Sequence, residues 1–281
     1  MKFFHRFFYF FVYSNLFIAI CAVLMVWQTY QLLLSAKPNY YFLLFVFFST
    51  VCSYSFHWYL TENSVIPSPR IKWAGNNRRI HLLLFFTGLA GSAIFFFYLL
   101  PYCKWLLLSA FMTFLYSAPK IPHPCFRALR KVALGKTIFL SLVWTHVSTI
   151  LPIVISGEIW KKEFTLFVIS RFFLVYAICI LFDYRDRKDD KASGVRSLIT
   201  YLSENNITFL FIFSLLVFSA STLLLLNYNF MFTSVILLLI PGAITAGLYN
   251  YARRHFYDLL YYFILDGLMA FSSILMLIAP I

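Results

Sequence analysis

The sequence predicts an all-α membrane protein, a polytopic bundle of about nine transmembrane helices forming one domain over residues 1–281. Three observations carry that expectation. Hydrophobic residues fill 62% of the 281 positions and charged residues only 12%, more apolar surface than a single water-soluble core of this length encloses. The apolar positions gather into nine runs of roughly 20 residues, the length that crosses a hydrocarbon core. Lysine and arginine concentrate in alternate connections between those runs, as they do on one side of a membrane protein.

The runs fall near 14–34, 40–60, 80–99, 101–118, 132–155, 164–182, 207–226, 230–250 and 258–279. Ahead of the first, MKFFHRFF places basic residues before an apolar stretch that no small-residue cleavage site follows, and it reads as a lead into the first span. The connections at the Pro101 region and at Asn227, Tyr228 and Asn229 are so short that the helices they join are antiparallel neighbours. With 35 Phe and 19 Tyr, the aromatic residues exceed what interfacial belts take up, so many pack between helices or line an internal cavity.

The N-terminus and the connections 61–79, 119–136, 183–206 and 251–257 hold 18 of the 23 Lys and Arg residues. The other side holds Lys37, Lys104, Lys161 and Lys162, and Arg171 lies within the sixth span. This bias places the N-terminus and the four basic connections in the cytoplasm and the C-terminus outside. The expected location is the cell's inner (plasma) membrane, with membrane lipid as the surroundings. Distributed this way, the net charge of +13 is orientation signal and makes nucleic-acid binding unnecessary, while drawing anions to the basic face. Cys21, Cys52, Cys103, Cys125 and Cys179 form no CxxC pair, which argues against a disulfide framework or a thiolate zinc site. They read as small buried apolar residues.

Only ten acids are present, and Asp183, Asp186, Asp189 and Asp190 fall within eight positions at the basic end of the sixth span. If the helix continues through LFDYRDRKDD, Asp183, Asp186 and Asp190 share an arc of roughly 60°. Carboxylates so placed repel one another unless a cation sits between them. Magnesium, which prefers oxygen ligands and bridges carboxylates to phosphates, fits that place. From spacing alone a solvated loop balanced by Arg185, Arg187, Lys188 and Lys191 is an equal alternative.

The stretch DYRDRKDDKASGVRSL resembles the second aspartate-rich motif of the UbiA prenyltransferase superfamily, Asp-x-x-Asp-x-x-x-Asp-x-x-x-Gly-x-x-Ser/Thr, with Asp183, Asp186, Asp190, Gly194 and Ser197 in those places. Arg196 matches the basic residue that precedes the Ser/Thr. LYSAPKI, from Leu115 to Ile121, is similar to the Tyr-Ser-x-Pro stretch that ends the family's fourth helix. The resemblance implies a helical bundle around a central cavity open sideways to lipid, where Mg2+ held by Asp183, Asp186 and Asp190 binds the diphosphate of an isoprenoid donor. Ionisation gives an allylic cation, which passes to a small hydrophobic acceptor, often an aromatic ring, with release of pyrophosphate. Metal ions neutralise the leaving group and aromatic faces stabilise the cation. Arg196 and Lys120 are the implied basic helpers.

The family's first motif, Asn-Asp-x-x-Asp-x-x-x-Asp at the end of the second span, is replaced here by SYSFHWYLTENSVIPSPR, and no aspartate precedes Asp183. Two readings stand. In one, an altered enzyme uses Glu62, with His57 or Asn63, while Arg70, Lys72, Arg78 and Arg79 take up diphosphate charge directly. In the other, the protein has lost prenyl transfer and binds a lipid or a protein partner. Transport is a third class, resting on Arg171 and Asp266 within spans. Asp258 and Asp266, at i and i+8, lie near one face of the last span and could both look inward. His146 reads as a hydrogen-bonded core histidine, and Arg171 as snorkelling outward or paired within the bundle.

Overall fold

The computed structural model describes residues 2–61, 68–121, 123, 126, 136–192 and 197–279. Among them the regular structure is entirely helical. In chain order the helices are α1 (Lys2–Tyr13), α2 (Leu16–Leu33), α3 (Tyr40–Tyr59), α4 (Pro69–Asn76), α5 (Arg78–Phe97), α6 (Cys103–Ser117), α7 (Lys136–Ser156), α8 (Lys162–Ala192), α9 (Leu198–Tyr201), α10 (Glu204–Leu223), α11 (Phe232–Ala252) and α12 (Leu260–Ile278). Eight of these, α2, α3, α5, α7, α8, α10, α11 and α12, are long and apolar enough to cross a membrane. In the place of the ninth expected span stands α6, 15 residues long and extended by 3-10 turns at Leu100–Tyr102 and Ala118–Lys120.

Local chemistry sets the breaks. Asn15, at φ 70°, takes the left-handed conformation that asparagine tolerates, so α1 parts from α2 and folds against α4 and the start of α12. Asn39 caps α3 by accepting from Phe42 N at 3.1 Å. Ser68 caps α4 by accepting from Ile71 N at 3.2 Å, with Pro69 at the first helical position, where its missing N–H costs nothing. Gly157, at φ 72°, closes α7.

The spans pack in the order α2, α3, α6, α7, α8, α10, α11, α12 and back to α2, with α5 outside on α3. A Cβ at Gly88 would stand 2.6 Å from Cys52 N, so glycine there lets α5 lie directly on the α3 backbone. The apolar window of α8 is 67% buried against 22% for α5, which makes α8 the central helix and α5 a lipid-facing one. Leu83, Phe86, Phe209, Leu216 and Phe232 are exposed, on surface that lipid tails would cover.

Two spans contain π turns, His146–Ile150 in α7 and Leu260–Leu265 in α12, which free backbone groups and re-aim side chains. The carbonyl of Ser148 accepts from Thr29 Oγ1 at 2.7 Å and from Arg171 Nη1 at 3.1 Å. Arg171 takes the second of its two expected placements, held within the bundle. It is 6% exposed and donates to Met25 O (2.7 Å), Thr29 Oγ1 (2.9 Å), Thr149 Oγ1 (3.3 Å) and Gln28 Oε1 (2.6 Å). It therefore neither snorkels nor pairs with a carboxylate. Neutral oxygens from α2 and α7 solvate it instead. His146 is buried, and its Nε2 has no hydrogen-bond partner among the described residues. Cys21 and Cys179 are buried and Cys52 and Cys103 half-buried, all four as free thiols, while Cys125 lies outside the described residues.

Candidate functional site: a charged mouth at the basic end of the bundle

Helix α8 runs unbroken for 31 residues through the acidic stretch, so Asp183 and Asp190, two turns apart, share one face. Both are buried and both reach Lys136, whose Nζ lies 3.6 Å from Asp183 Oδ1 and 3.4 Å from Asp190 Oδ2. Lys136 and Thr137 open α7, and Thr137 Oγ1 donates a hydrogen bond to Asp183. Asp186 sits at the edge of that face and accepts from Arg185 Nε at 2.8 Å. Arg185 in turn donates from Nη2 to the Tyr262 hydroxyl at 2.8 Å, with its guanidinium 4.5 Å from the Tyr261 ring and 4.6 Å from the Tyr262 ring. At the same level Glu204 accepts from both Arg187 and Arg253, joining the ends of α8, α10 and α11.

The facing wall is cationic. Lys120 Nζ lies 2.7 Å from His57 Nε2 and 2.6 Å from Thr61 Oγ1, and the His57 ring stacks on Tyr116 with centroids 5.2 Å apart. Burial, and then the charge of Lys136, push the Lys120 ammonium down to about 7. Arg70 enters from α4 and is 3% exposed. Its guanidinium lies 4.2 Å from the Trp58 ring and 3.9 Å from that of Tyr262, while Nη2 donates to Asn15 Oδ1 at 2.7 Å. Asp258 fixes this entry by accepting from Arg70 N (2.6 Å), Ser68 Oγ (3.2 Å) and Tyr13 OH (3.4 Å). The buried Arg70 Nε and Arg185 Nη1 have no hydrogen-bond partner among the described residues. Unpaired buried donors of this kind are costly, and an anion between the walls would satisfy them.

The structure thus brings Asp183, Asp186, Asp190, Lys120 and His57 to one end of the bundle. Arg78 and Arg79 lie at the same end but outside this cluster. Both are exposed at the start of α5, with Arg78 set 5.9 Å from the Tyr59 ring, and Lys72 is exposed as well. Glu62, Asn63, Gly194 and Arg196 lie outside the described residues, whereas Ser197 is buried with no partner on its Oγ among the described residues. Asp258 and Asp266 part company, since Asp258 serves as the tether of α4 and Asp266 makes no such contact among the described residues. Sequence reasoning missed Lys136 and Thr137 as the partners of Asp183. The only signal was a basic residue at the mouth of an apolar run.

Asp183, Asp186 and Asp190 are all-oxygen donors of the kind magnesium prefers, and Lys136 already marks a cation position between Asp183 and Asp190. Among the described residues no three His, Cys, Asp or Glu side chains converge as a metal cage, because Asp186 is turned to Arg185. Asp183 and Asp190 are the residues that would hold such a metal, in the position Lys136 takes here, and it would supply charge neutralisation to a phosphate.

A model of the UbiA prenyltransferase family matches residues 60–259, a stretch that includes Lys120, Lys136 and the whole acidic run. Comparison with curated proteins and with solved structures finds no match. With most of its length matched, this all-helical, multi-span chain belongs to the UbiA prenyltransferase family.

Proposed function

We propose that the protein transfers a prenyl group from an isoprenoid diphosphate to an aromatic acceptor inside the membrane, with Mg2+ held by Asp183, Asp186 and Asp190. The observation that carries this reading is the convergence of Asp183 and Asp190 on one cation position, opposite a wall of Lys120, His57 and Arg70 with unpaired donors. Bound there, magnesium would neutralise charge on the leaving diphosphate. Lys120 and Arg70 bind diphosphate oxygens from the facing wall, in the place where carboxylates of a first motif would have needed further metal. Arg70 suits this task because its planar fork can stay stacked between Trp58 and Tyr262 while donating. The rings of Trp58, Tyr116 and Tyr262 exclude water from this end of the bundle and hold Arg70, Arg185 and His57 in place. With the basic connections in the cytoplasm, the diphosphate arrives from that side and its prenyl tail extends into the bundle.

Transport is less well supported. The charged groups gather at one end, while the buried Arg171 is fully occupied by neutral oxygens rather than lining a polar path.

The test is magnesium-dependent pyrophosphate release by the purified protein in lipid, offered prenyl diphosphates of several lengths and a panel of aromatic acceptors. Asp186→Asn combined with Asp190→Asn is expected to lower release at least about 100-fold per folded molecule, with the folded fraction measured beside it because both carboxylates also pair with cations. If the wild-type protein neither releases pyrophosphate nor binds any donor, the reading is wrong, and a role in binding a lipid or a protein partner takes its place.

A further inference from the structure

At the end of the bundle opposite the charged mouth, two clefts meet where α8 begins. The first, of about 330 Å3, is walled by α2, α8, α11 and α12 and carries Gln31, Glu163, Asn229 and Ser234. The second, of about 300 Å3, lies between α8 and the turn after α10, and Lys162, Asn227, Leu166 and Leu224 line it. Tyr228 lines both, so the clefts adjoin. Lys162 and Glu163 are consecutive on the first turn of α8, about 100° apart, which puts a cation in one cleft and a carboxylate in the other.

Among the described residues neither Lys162 nor Glu163 has an ion-pair partner. The loop just before them settles its own groups. Glu158 pairs with Lys161 at 3.1 Å and accepts from Ser35 N at 2.6 Å, and Trp160 Nε1 donates to Thr165 Oγ1 at 2.8 Å. Ser234 makes a sharper contrast. Buried hydroxyls deeper in the spans, such as those of Ser214 and Thr245, donate to the carbonyl four residues earlier. Ser234 is 4% exposed, lines the first cleft and makes no such bond among the described residues. A hydroxyl held in this way is satisfied from the cleft.

The order of residues along the chain fits a lipid. Leu166 lies one turn further into its span than Lys162, and Leu224 one turn before Asn227, so the apolar wall stands on the membrane side of the polar one. In the first cleft, Glu163, the amide oxygens of Gln31 and Asn229 and the Ser234 hydroxyl are acceptors. They suit a primary ammonium, which has three N–H donors, whereas a quaternary ammonium has none and a headgroup of negative charge alone is repelled by Glu163.

We propose that these clefts bind an ethanolamine phospholipid, with its ammonium at Glu163 and Ser234, its phosphate at Lys162 and Asn227, and an acyl chain along Leu166 and Leu224. The site is separate from the charged mouth, at the other end of α8, and stands or falls independently of prenyl transfer.

Native mass spectrometry of the full-length, delipidated protein reads the affinity for the first lipid bound, with phosphatidylethanolamine, phosphatidylcholine and phosphatidylglycerol of identical acyl chains. Glycerophosphoethanolamine supplies the same headgroup without chains. The wild-type protein is expected to hold phosphatidylethanolamine about fivefold more tightly than the other two lipids and to bind the chain-free headgroup far more weakly. Glu163→Gln should bring phosphatidylethanolamine and phosphatidylcholine to within about twofold of each other, and Lys162→Gln should weaken all three lipids. Neither side chain pairs with a described residue, so thermal melting should match wild type in both variants. Equal binding of the three lipids by the wild type, a preference kept in Glu163→Gln, or unchanged affinities in Lys162→Gln overturns the proposal. Chain-free headgroup bound as tightly as the lipid overturns it too, and assigns the clefts to a soluble ligand.

Discussion

The Lys120 ammonium meets the His57 imidazole at 2.7 Å through Nε2, so His57 accepts at Nε2 and carries its proton on Nδ1, toward Ser117 Oγ at 3.4 Å. A cation hydrogen-bonded to a neutral histidine thus stands on the wall where the resemblance led one to expect paired carboxylates. A wall of that character attracts phosphate oxygens directly and has no need of a metal to invert its charge.

That exchange has a pH signature. Lys120 is pushed down to about 7 by burial and then by Lys136, and a bound anion favours the protonated amine, so donor binding takes up a proton. Affinity for a prenyl diphosphate is expected to fall as pH rises from 7 to 9. Lys120→Met should weaken binding at pH 6.5 by roughly tenfold or more and flatten the slope above pH 7. Titration calorimetry across that range checks both, and an unchanged slope in the variant would remove Lys120 from the anion site. The sign for stability is opposite. With its folded value below the unfolded one, Lys120 favours folding more as pH rises from about 7 toward the ordinary lysine value.

Lys136 offers a second prediction, since it is the cation shared by Asp183 and Asp190. Its side chain is 24% exposed, so replacement costs less than in a fully dry pair. Lys136→Met is expected to destabilise the protein by about 2 kcal/mol. Millimolar magnesium should recover much of that loss, because the freed carboxylates would then hold the metal alone. Thermal denaturation in magnesium and in chelator reads the difference. Equal melting of the variant in both would argue that the two aspartates do not form a metal site.

Arg171 supplies a control remote from the mouth. Its partners are Gln28, Thr29, Met25, Ser148 and Thr149, so Arg171→Met leaves several buried oxygens without a donor. A loss of about 2–4 kcal/mol in stability is expected, with prenyl diphosphate affinity unchanged in the folded fraction. Unfolding in lipid and donor binding at low temperature separate the two, and a specific loss of donor affinity would tie Arg171 to the ligand path.

The spans and the acidic face were legible in the sequence for simple reasons. Lipid demands long apolar runs, and a helix carries residues at i and i+7 to one side, so Asp183 and Asp190 were visible as a pair before any packing was known. Even there the partner was hidden. Lys136 meets them only because α7 starts beside the end of α8, a fact no spacing along the chain expresses.

Tertiary structure decided the rest. Arg70, Arg78 and Arg79 are near neighbours in sequence and identical in chemistry, yet α4 turns Arg70 into the bundle while the start of α5 leaves the other two exposed. Asp258 and Asp266 stand eight residues apart, near one face of the chain's last helical stretch. The fold of α1 and α4 onto that corner gives Asp258 three donors, while the π turn between them carries Asp266 away from those partners. The sequence by itself determined which residue types the chain carries, where it crosses the membrane and which side is basic, because these follow from local periodicity and from the solvent. Which of those charges are neutralised within the fold and which stay open to a ligand was decided only by packing, because a charge's partner is set by distance in space.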